Sequence, residues 1–183
     1  MIEQAQAKQR SSGLKNLSWV VGDAAPLVFP DAAFSAVVTR FSFHHFLDPK
    51  RVLAEMVRVC EPGGRVVVID VFTSSAEQAE AYNRVEKLRD PSHVRALSLE
   101  ELTGLFQDAG LLGQKTAFFR LEVALEALLA ASFPNPGDGD RIRQTFAADV
   151  GVDRLGVGAH RRGGDIYFAF PIVVIAGRTK SAS

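Results

Sequence analysis

The chain alternates between short β-branched runs and stretches whose apolar residues recur every three or four positions, a strand–helix rhythm. Residues 1–10 read as the end of a helix, closed near Ser11-Ser12-Gly13. Leu17 to Val21 (LSWVV) reads as a short strand stopped by Gly22-Asp23, and Pro26 and Pro30 keep the next stretch irregular. Phe34 to Thr39 is a second, mostly apolar strand, expected to be buried on both faces. Asp48 as N-cap with Pro49 at the first helical position opens a helix whose apolar face is Val52, Leu53, Met56, Val57 and Cys60, and Pro62-Gly63-Gly64 ends it. Arg65 to Val71 (RVVVIDV) has the continuous β-branched run of a central strand.

Ser74 and Ser75 stand at capping-box distance from Glu77 and Gln78 and start a helix to about Leu88; Ser98 with Glu101 starts another, with Leu102, Leu105, Phe106 and Ala109 as its buried stripe and Gly110 after its end. Phe118 to Val123 is strand-like and leads into an Ala/Leu-rich helix at about 123–132. A Pro/Gly/Asp loop, 134–139, precedes a short helix over Arg141–Asp149. Ile166 to Ala176 is the last strand, in which Pro171 requires a bulge or an unpaired position. The pattern is α/β.

Composition narrows the function. With 21 Lys+Arg against 21 Asp+Glu in 183 residues, the basic excess usual in nucleic-acid binding is absent. No apolar run reaches the length of a membrane-spanning helix, and the polar start MIEQAQAKQR is unlike a signal peptide. A single cysteine, Cys60, excludes an internal disulfide framework and a cysteine metal cluster. The expectation is one cytoplasmic domain over residues 1–183, without membrane or nucleic-acid partners.

Three stretches carry chemistry, each at the end of a predicted strand or between helix and strand: Gly22-Asp23-Ala24-Ala25-Pro26-Leu27-Val28-Phe29-Pro30, followed by the run from Asp31 to Val38; Arg40-Phe41-Ser42-Phe43-His44-His45-Phe46, followed by Asp48-Pro49; and Glu61-Pro62-Gly63-Gly64. In this order and spacing the chain resembles the class I S-adenosylmethionine-dependent methyltransferases, closest to the type 11 group that includes the ubiquinone/menaquinone-biosynthesis enzymes. The resemblance runs from residue 1 to about 178 and takes in Arg89 to His93 and Gly164 to Arg178. It implies a Rossmann-like sheet of order 3-2-1-4-5-7-6 with an antiparallel C-terminal strand, S-adenosylmethionine as cofactor and a small-molecule acceptor. The departure is that the family's first two strands, its Gly-rich turn and its ribose-binding acidic residue have no counterpart. The expected domain therefore lacks its N-terminal cofactor-binding part, as a fragment or as a form completed by self-association or by a complementing chain. A non-catalytic remnant or interaction subunit is the alternative.

The resemblance places Asp23 and Ala24 at the adenine edge, the carboxylate accepting from the exocyclic amine and the Ala24 N–H reaching a ring nitrogen; alternatively Asp23 only stabilises its turn. Arg40 and Phe41 fall beside the amino-acid end of the cofactor, where Arg40 either pairs with a carboxylate or is solvated. Neighbouring His44 and His45 point in different directions, which argues against a shared metal. One of them is a candidate base or hydrogen-bonding residue over the substrate, His45 being also a candidate substrate contact. Tyr82, Asn83, Arg89 and His93 belong to the segment that caps the substrate pocket in similar enzymes, or else brace it. Asp70, near the end of a central strand, is placed to face the cleft. Methyl transfer from a sulfonium is an in-line displacement dominated by alignment, and a base is required only where the acceptor must lose a proton.

Overall fold

The structure, a computed structural model, describes residues 2–181. Helix α1 (Ile2–Ser12) ends as expected before Gly13, which takes a left-handed φ of 70°. Met1, included in the expected helix, lies outside the described residues. Strand β1 (Phe34–Arg40) leads through a one-turn 3-10 helix (Phe43–His45) to α2 (Pro49–Val59), capped by the Asp48 side chain on the Arg51 N–H. Next come β2 (Cys60–Thr73), α3 (Ala76–Arg89) and the two-residue β3 (Leu97–Ser98). Ser75 caps α3, and Ser98 with Glu101 forms a reciprocal capping box on α4 (Leu99–Asp108). The chain closes with β4 (Leu112–Ala124), α5 (Leu125–Ala130), α6 (Asp138–Asp149), β5 (His160–Arg162) and β6 (Asp165–Arg178).

The sheet has the order β1-β2-β6-β4, with β3 beside β2 and β5 beside β6. β1 and β2 are parallel, and β6 runs antiparallel to both β2 and β4. This is the 4-5-7-6 side of the family's sheet, including its antiparallel last strand. Pro171 sits just beyond the end of β6's pairing with β2 (Val71↔Ile172) while its pairing with β4 continues in register, so it occupies the unpaired position and needs no bulge.

Three expectations are corrected. Leu17–Val21 is not a strand: it runs irregularly, with Trp19, Val20 and Val21 exposed, because no described strand lies beside it to take its hydrogen bonds. β1 is not buried on both faces. It is a sheet edge, and Val38 is 58% exposed. The helix before β2 ends at Val59, ahead of Pro62, and β2 begins at Cys60. β5 was not anticipated, because its three residues join β6 through Gly163-Gly164 without an apolar pattern of their own.

Two cores hold the layers together. On one face Val66, Val68, Val173 and Ile175 meet Val52, Leu53 and Met56 of α2 and Leu102 and Phe106 of α4. The second core joins Val71 and Phe168 to Tyr82 and Val85 of α3, Leu125 and Leu129 of α5, and Ile142 and Phe146 of α6. Val67, Ile69, Val174 and Ala176 alternate with positions of the first core, and they stay half-buried and join neither.

Gly64 permits the approach of β2 to β1. A Cβ there would stand 2.7 Å from Cys60 Sγ, 2.8 Å from the Glu61 carbonyl oxygen and 3.0 Å from that of Ser35. Because two of these are backbone atoms, Gly64→Ala is expected to destabilise the fold by about 1–2 kcal/mol in urea denaturation. An unchanged midpoint would show that the β1–β2 contact yields.

Candidate functional site

The carboxyl ends of β1 and β2 open onto a cavity of about 270 Å³. Its polar wall is His44, His45, Tyr82, Glu86, Arg89 and Asp90, and its apolar wall includes Phe41, Val71 and Phe170. Strand ends of α/β sheets are where ligands bind.

Asp70, buried near the end of β2, organises the turn that carries the histidines. Its Oδ2 accepts the N–H groups of Phe43 (2.6 Å) and His44 (3.2 Å). Its Oδ1 accepts the Val71 N–H (2.7 Å) and His44 Nδ1–H (2.6 Å). Since the carboxylate accepts, His44 Nδ1 carries a proton, and the tautomer this contact selects for a neutral ring has Nε2 as its bare nitrogen. His45 is oriented in the same sense. Its Nδ1 faces the Ser92 carbonyl at 3.0 Å, which can only accept, and Ser92 Oγ donates to Asp90 at 2.6 Å. Burial works against ionisation of Asp90, but the Ser92 hydrogen bonds prevail and hold its pKa below the usual carboxylate value.

Phe41 adopts φ 51°, a left-handed conformation rare for a bulky residue, and its ring lies under the Arg40 guanidinium at 4.6 Å. Such strain occurs where a site requires it. On α3, Glu86 is buried and paired with Arg89 at 2.6 Å. Burial opposes the Arg89 charge, yet the Glu86 carboxylate outweighs it and the guanidinium pKa rises. Tyr82 is buried with its hydroxyl unpartnered among the described residues, and burial, reinforced by Glu86, pushes its pKa up, so it remains a donor.

His93 and Asn83 stand behind this wall. Asn83 Oδ1 accepts the Ala96 N–H at 2.7 Å and therefore also accepts His93 Nε2–H at 2.7 Å. His93 Nδ1 is left bare, buried and without a partner among the described residues. Burial, then the neighbouring His44 and His45, lowers the His93 pKa to about 4. The N–H groups of Val94 and Arg95 both donate to the His44 carbonyl, locking this loop onto the histidine turn.

Asp23 and Ala24 lie apart from the cavity lining. The Asp23 side chain is exposed and makes no hydrogen bond or ion pair with the described residues, while Ala24 and Ala25 pack on the first core. The loop that follows is clamped to α2: Arg58 donates to the carbonyls of Leu27 and Phe29, and Glu55 accepts the Leu27 N–H. The Arg58 hydrogen bond, then that of Leu27, lowers the Glu55 pKa to about 2.

Of the residues singled out from the sequence, the cavity gathers Phe41, His44, His45, Tyr82 and Arg89. Arg40 stays outside its lining, as do Asn83, His93, Asp23 and Ala24. Asp70 does not face the cavity. It lies beneath His44. Glu86, Asp90, Ser92 and Phe170 were not anticipated. A buried Glu on a polar helix carries no periodic signal, and the Ser92 carbonyl meets its His45 partner 47 positions away in sequence.

A methyltransferase-domain family model matches residues 1–68. Uncharacterized methyltransferase YcgJ of Bacillus subtilis is 27% identical over 181 residues, covering 97% of this chain and 71% of its own length. Its crystal structure superposes with a TM-score of 0.87 at 24% identity, over 100% of this chain and 79% of that one. A putative methyltransferase from Bacillus halodurans gives 0.84 at 22% identity, over 98% and 78%. Demethylmenaquinone methyltransferase of Thermus thermophilus is 41% identical over 70 residues, 38% of this chain but only 31% of that protein. The parallel β1–β2 pair, the antiparallel last strand and this likeness along nearly the whole sequence agree: the chain is similar in sequence and in fold to the class I S-adenosylmethionine-dependent methyltransferases, whose cofactor is S-adenosylmethionine.

Proposed function

We propose that the chain takes part in S-adenosylmethionine-dependent methylation of a small molecule bound in the cavity beside His44. The observation that carries this is the Asp70–His44 pair, which presents a bare imidazole nitrogen in a cavity at the strand ends. When bound, the cofactor supplies a methyl group on sulfonium sulfur, which departs as a neutral thioether. The donor set on this chain fits part of it. Asp23 and Ala24 would take the adenine edge, and Arg40, whose guanidinium lies over the Phe41 ring and makes no hydrogen bond or ion pair with the described residues, would take the carboxylate. No GxGxG turn occurs in the 183 residues. Asp70 holds the His44 tautomer, His44 Nε2 receives the acceptor's proton, and Phe41, Val71 and Phe170 keep water from the acceptor.

The open edge of β1 supports a second reading, in which this chain is one part of a methyltransferase completed by other strands. Alternation leaves the amides of Ala36, Val38 and Arg40 pointing away from β2, since Phe41 N–H bonds the Ile69 carbonyl. One experiment separates the readings. Calorimetric titration of S-adenosylhomocysteine into the chain is expected to show binding, and Asp23→Ala is expected to weaken it about tenfold, the loss of a charge-assisted hydrogen bond. No binding to a folded sample would favour the second reading. Binding unaffected by Asp23→Ala would remove Asp23 from the cofactor site.

A further inference from the structure

His44 and His45 are both turned the same way round by oxygen acceptors outside the cavity. His44 gives its Nδ1–H to Asp70, and His45 gives its own to Ser92, which Asp90 steadies. Both rings line one cavity, 4.2 Å apart between centroids. Neither Nε2 has a hydrogen-bond partner among the described residues, so in their neutral forms both rings bring a free acceptor nitrogen to the wall of this cavity. The charges nearby are unequal. On the cavity wall the carboxylates Glu86 and Asp90 stand against one guanidinium, Arg89, which Glu86 already engages, and a third carboxylate, Asp70, lies behind His44. The Tyr82 hydroxyl stays neutral, and of the remaining wall Phe41, Val71 and Phe170 carry no charge.

A hydroxyl brings a single proton to two waiting nitrogens, and an anionic group would meet the carboxylate excess. An ammonium group brings two or more protons and a positive charge, which Phe170 can face with its ring. We propose that the acceptor molecule for this cavity is a primary or secondary amine, bound as its ammonium between His44 Nε2 and His45 Nε2. The proposal rests on reading the cavity as the acceptor site. The ammonium yields one proton to His44 Nε2, and the N–H electron pair stays on nitrogen. With the cofactor bound, that pair would form the new C–N bond to its methyl carbon, and the C–S electrons would leave with sulfur. The N-methylammonium now carries the charge that sulfonium lost, and it gives its next proton to His45 Nε2. The two bases thus serve before and after the transfer.

The chain has four histidines, which makes ¹⁵N-histidine NMR of the intact protein readable residue by residue. Benzylamine and benzyl alcohol are the probes, matched in ring and length. Benzylamine is expected to move the Nε2 signals of His44 and His45 together, to leave His160 in place, and to bind at least tenfold more tightly than benzyl alcohol. His45→Leu, at a partly exposed position, is expected to reduce benzylamine affinity about tenfold and leave benzyl alcohol unchanged. If benzyl alcohol moves His44 and binds as tightly as benzylamine, the amine assignment is overturned while the acceptor cavity stands. If neither probe moves His44 or His45, the cavity is not the acceptor site and both readings fall.

Discussion

Asp70→Asn is expected to lower stability by about 3 kcal/mol and the melting temperature by roughly 10 °C. Each carboxylate oxygen of Asp70 receives two donors, two backbone N–H groups on Oδ2 and one N–H plus His44 Nδ1–H on Oδ1. An asparagine keeps one acceptor oxygen and turns an NH₂ group toward the other pair of donors. In a site only 2% exposed, an amide NH₂ at the Oδ2 position leaves the N–H groups of Phe43 and His44 without an acceptor, and one at the Oδ1 position leaves the Val71 N–H without one and forces His44 into its other tautomer. His44 also loses the carboxylate that fixes its tautomer, so methyl transfer is expected to fall on the order of 10²-fold or more beyond what the fraction unfolded accounts for. Differential scanning calorimetry and a methylation assay at a temperature where the variant is folded check the two parts. A variant that melts within 2–3 °C of the parent would show that the turn is held by something other than Asp70.

His93 makes stability depend on pH in a defined window. Its pKa is about 4 in the folded protein against 6.5 for the free side chain. Between these values the unfolded chain binds more protons, so stability is present above 6.5 and is lost as the pH falls toward 4. From pH 7 to pH 5 the loss assigned to this residue is ~2 kcal/mol. Glutamine at position 93 can still donate to Asn83 Oδ1 but does not titrate. His93→Gln is therefore expected to lose about 2 kcal/mol less than the parent between pH 7 and 5, by urea denaturation at both values. Asp90 and Glu101, whose depressed pKa values also weaken the fold in acid, contribute equally to both proteins and cancel in the difference. Equal losses in parent and variant would contradict a buried, neutral His93.

Local chemistry was the legible part of this molecule. Asp48-Pro49, Ser75 and the Ser98–Glu101 box start helices because their hydrogen bonds lie within one turn of chain, and all three are found as read. The parallel centre and antiparallel end of the sheet followed from the order of motifs. Pairing was less legible. LSWVV has the composition of a strand, yet a strand exists only where a neighbour takes its hydrogen bonds, and none does. The site was half legible for the same reason. His44, His45, Tyr82 and Arg89 stand in recognisable stretches, but Asp70 reaches His44 across 26 positions and Glu86 sits in a helix that reads as solvated. Histidine tautomers are set by contacts of this kind, so their direction appears only in three dimensions.

The placement of β6 has a consequence for how the protein is made. This strand is the last in the chain, yet it lies between β2 and β4 and supplies Val173 and Ile175, both fully buried, to the first core. During synthesis β2 and β4 leave the ribosome with no partner between them, and the apolar faces that β6 will cover remain open until residue 178 has emerged. The sheet can close only after residue 178 has been translated, by the pairing of segments more than a hundred residues apart. A stop codon at position 172 would remove Ile172 to Arg178 and with them the middle of the sheet. Such a product should accumulate as an aggregate or be degraded, even though every residue lining the cavity would have been translated in it.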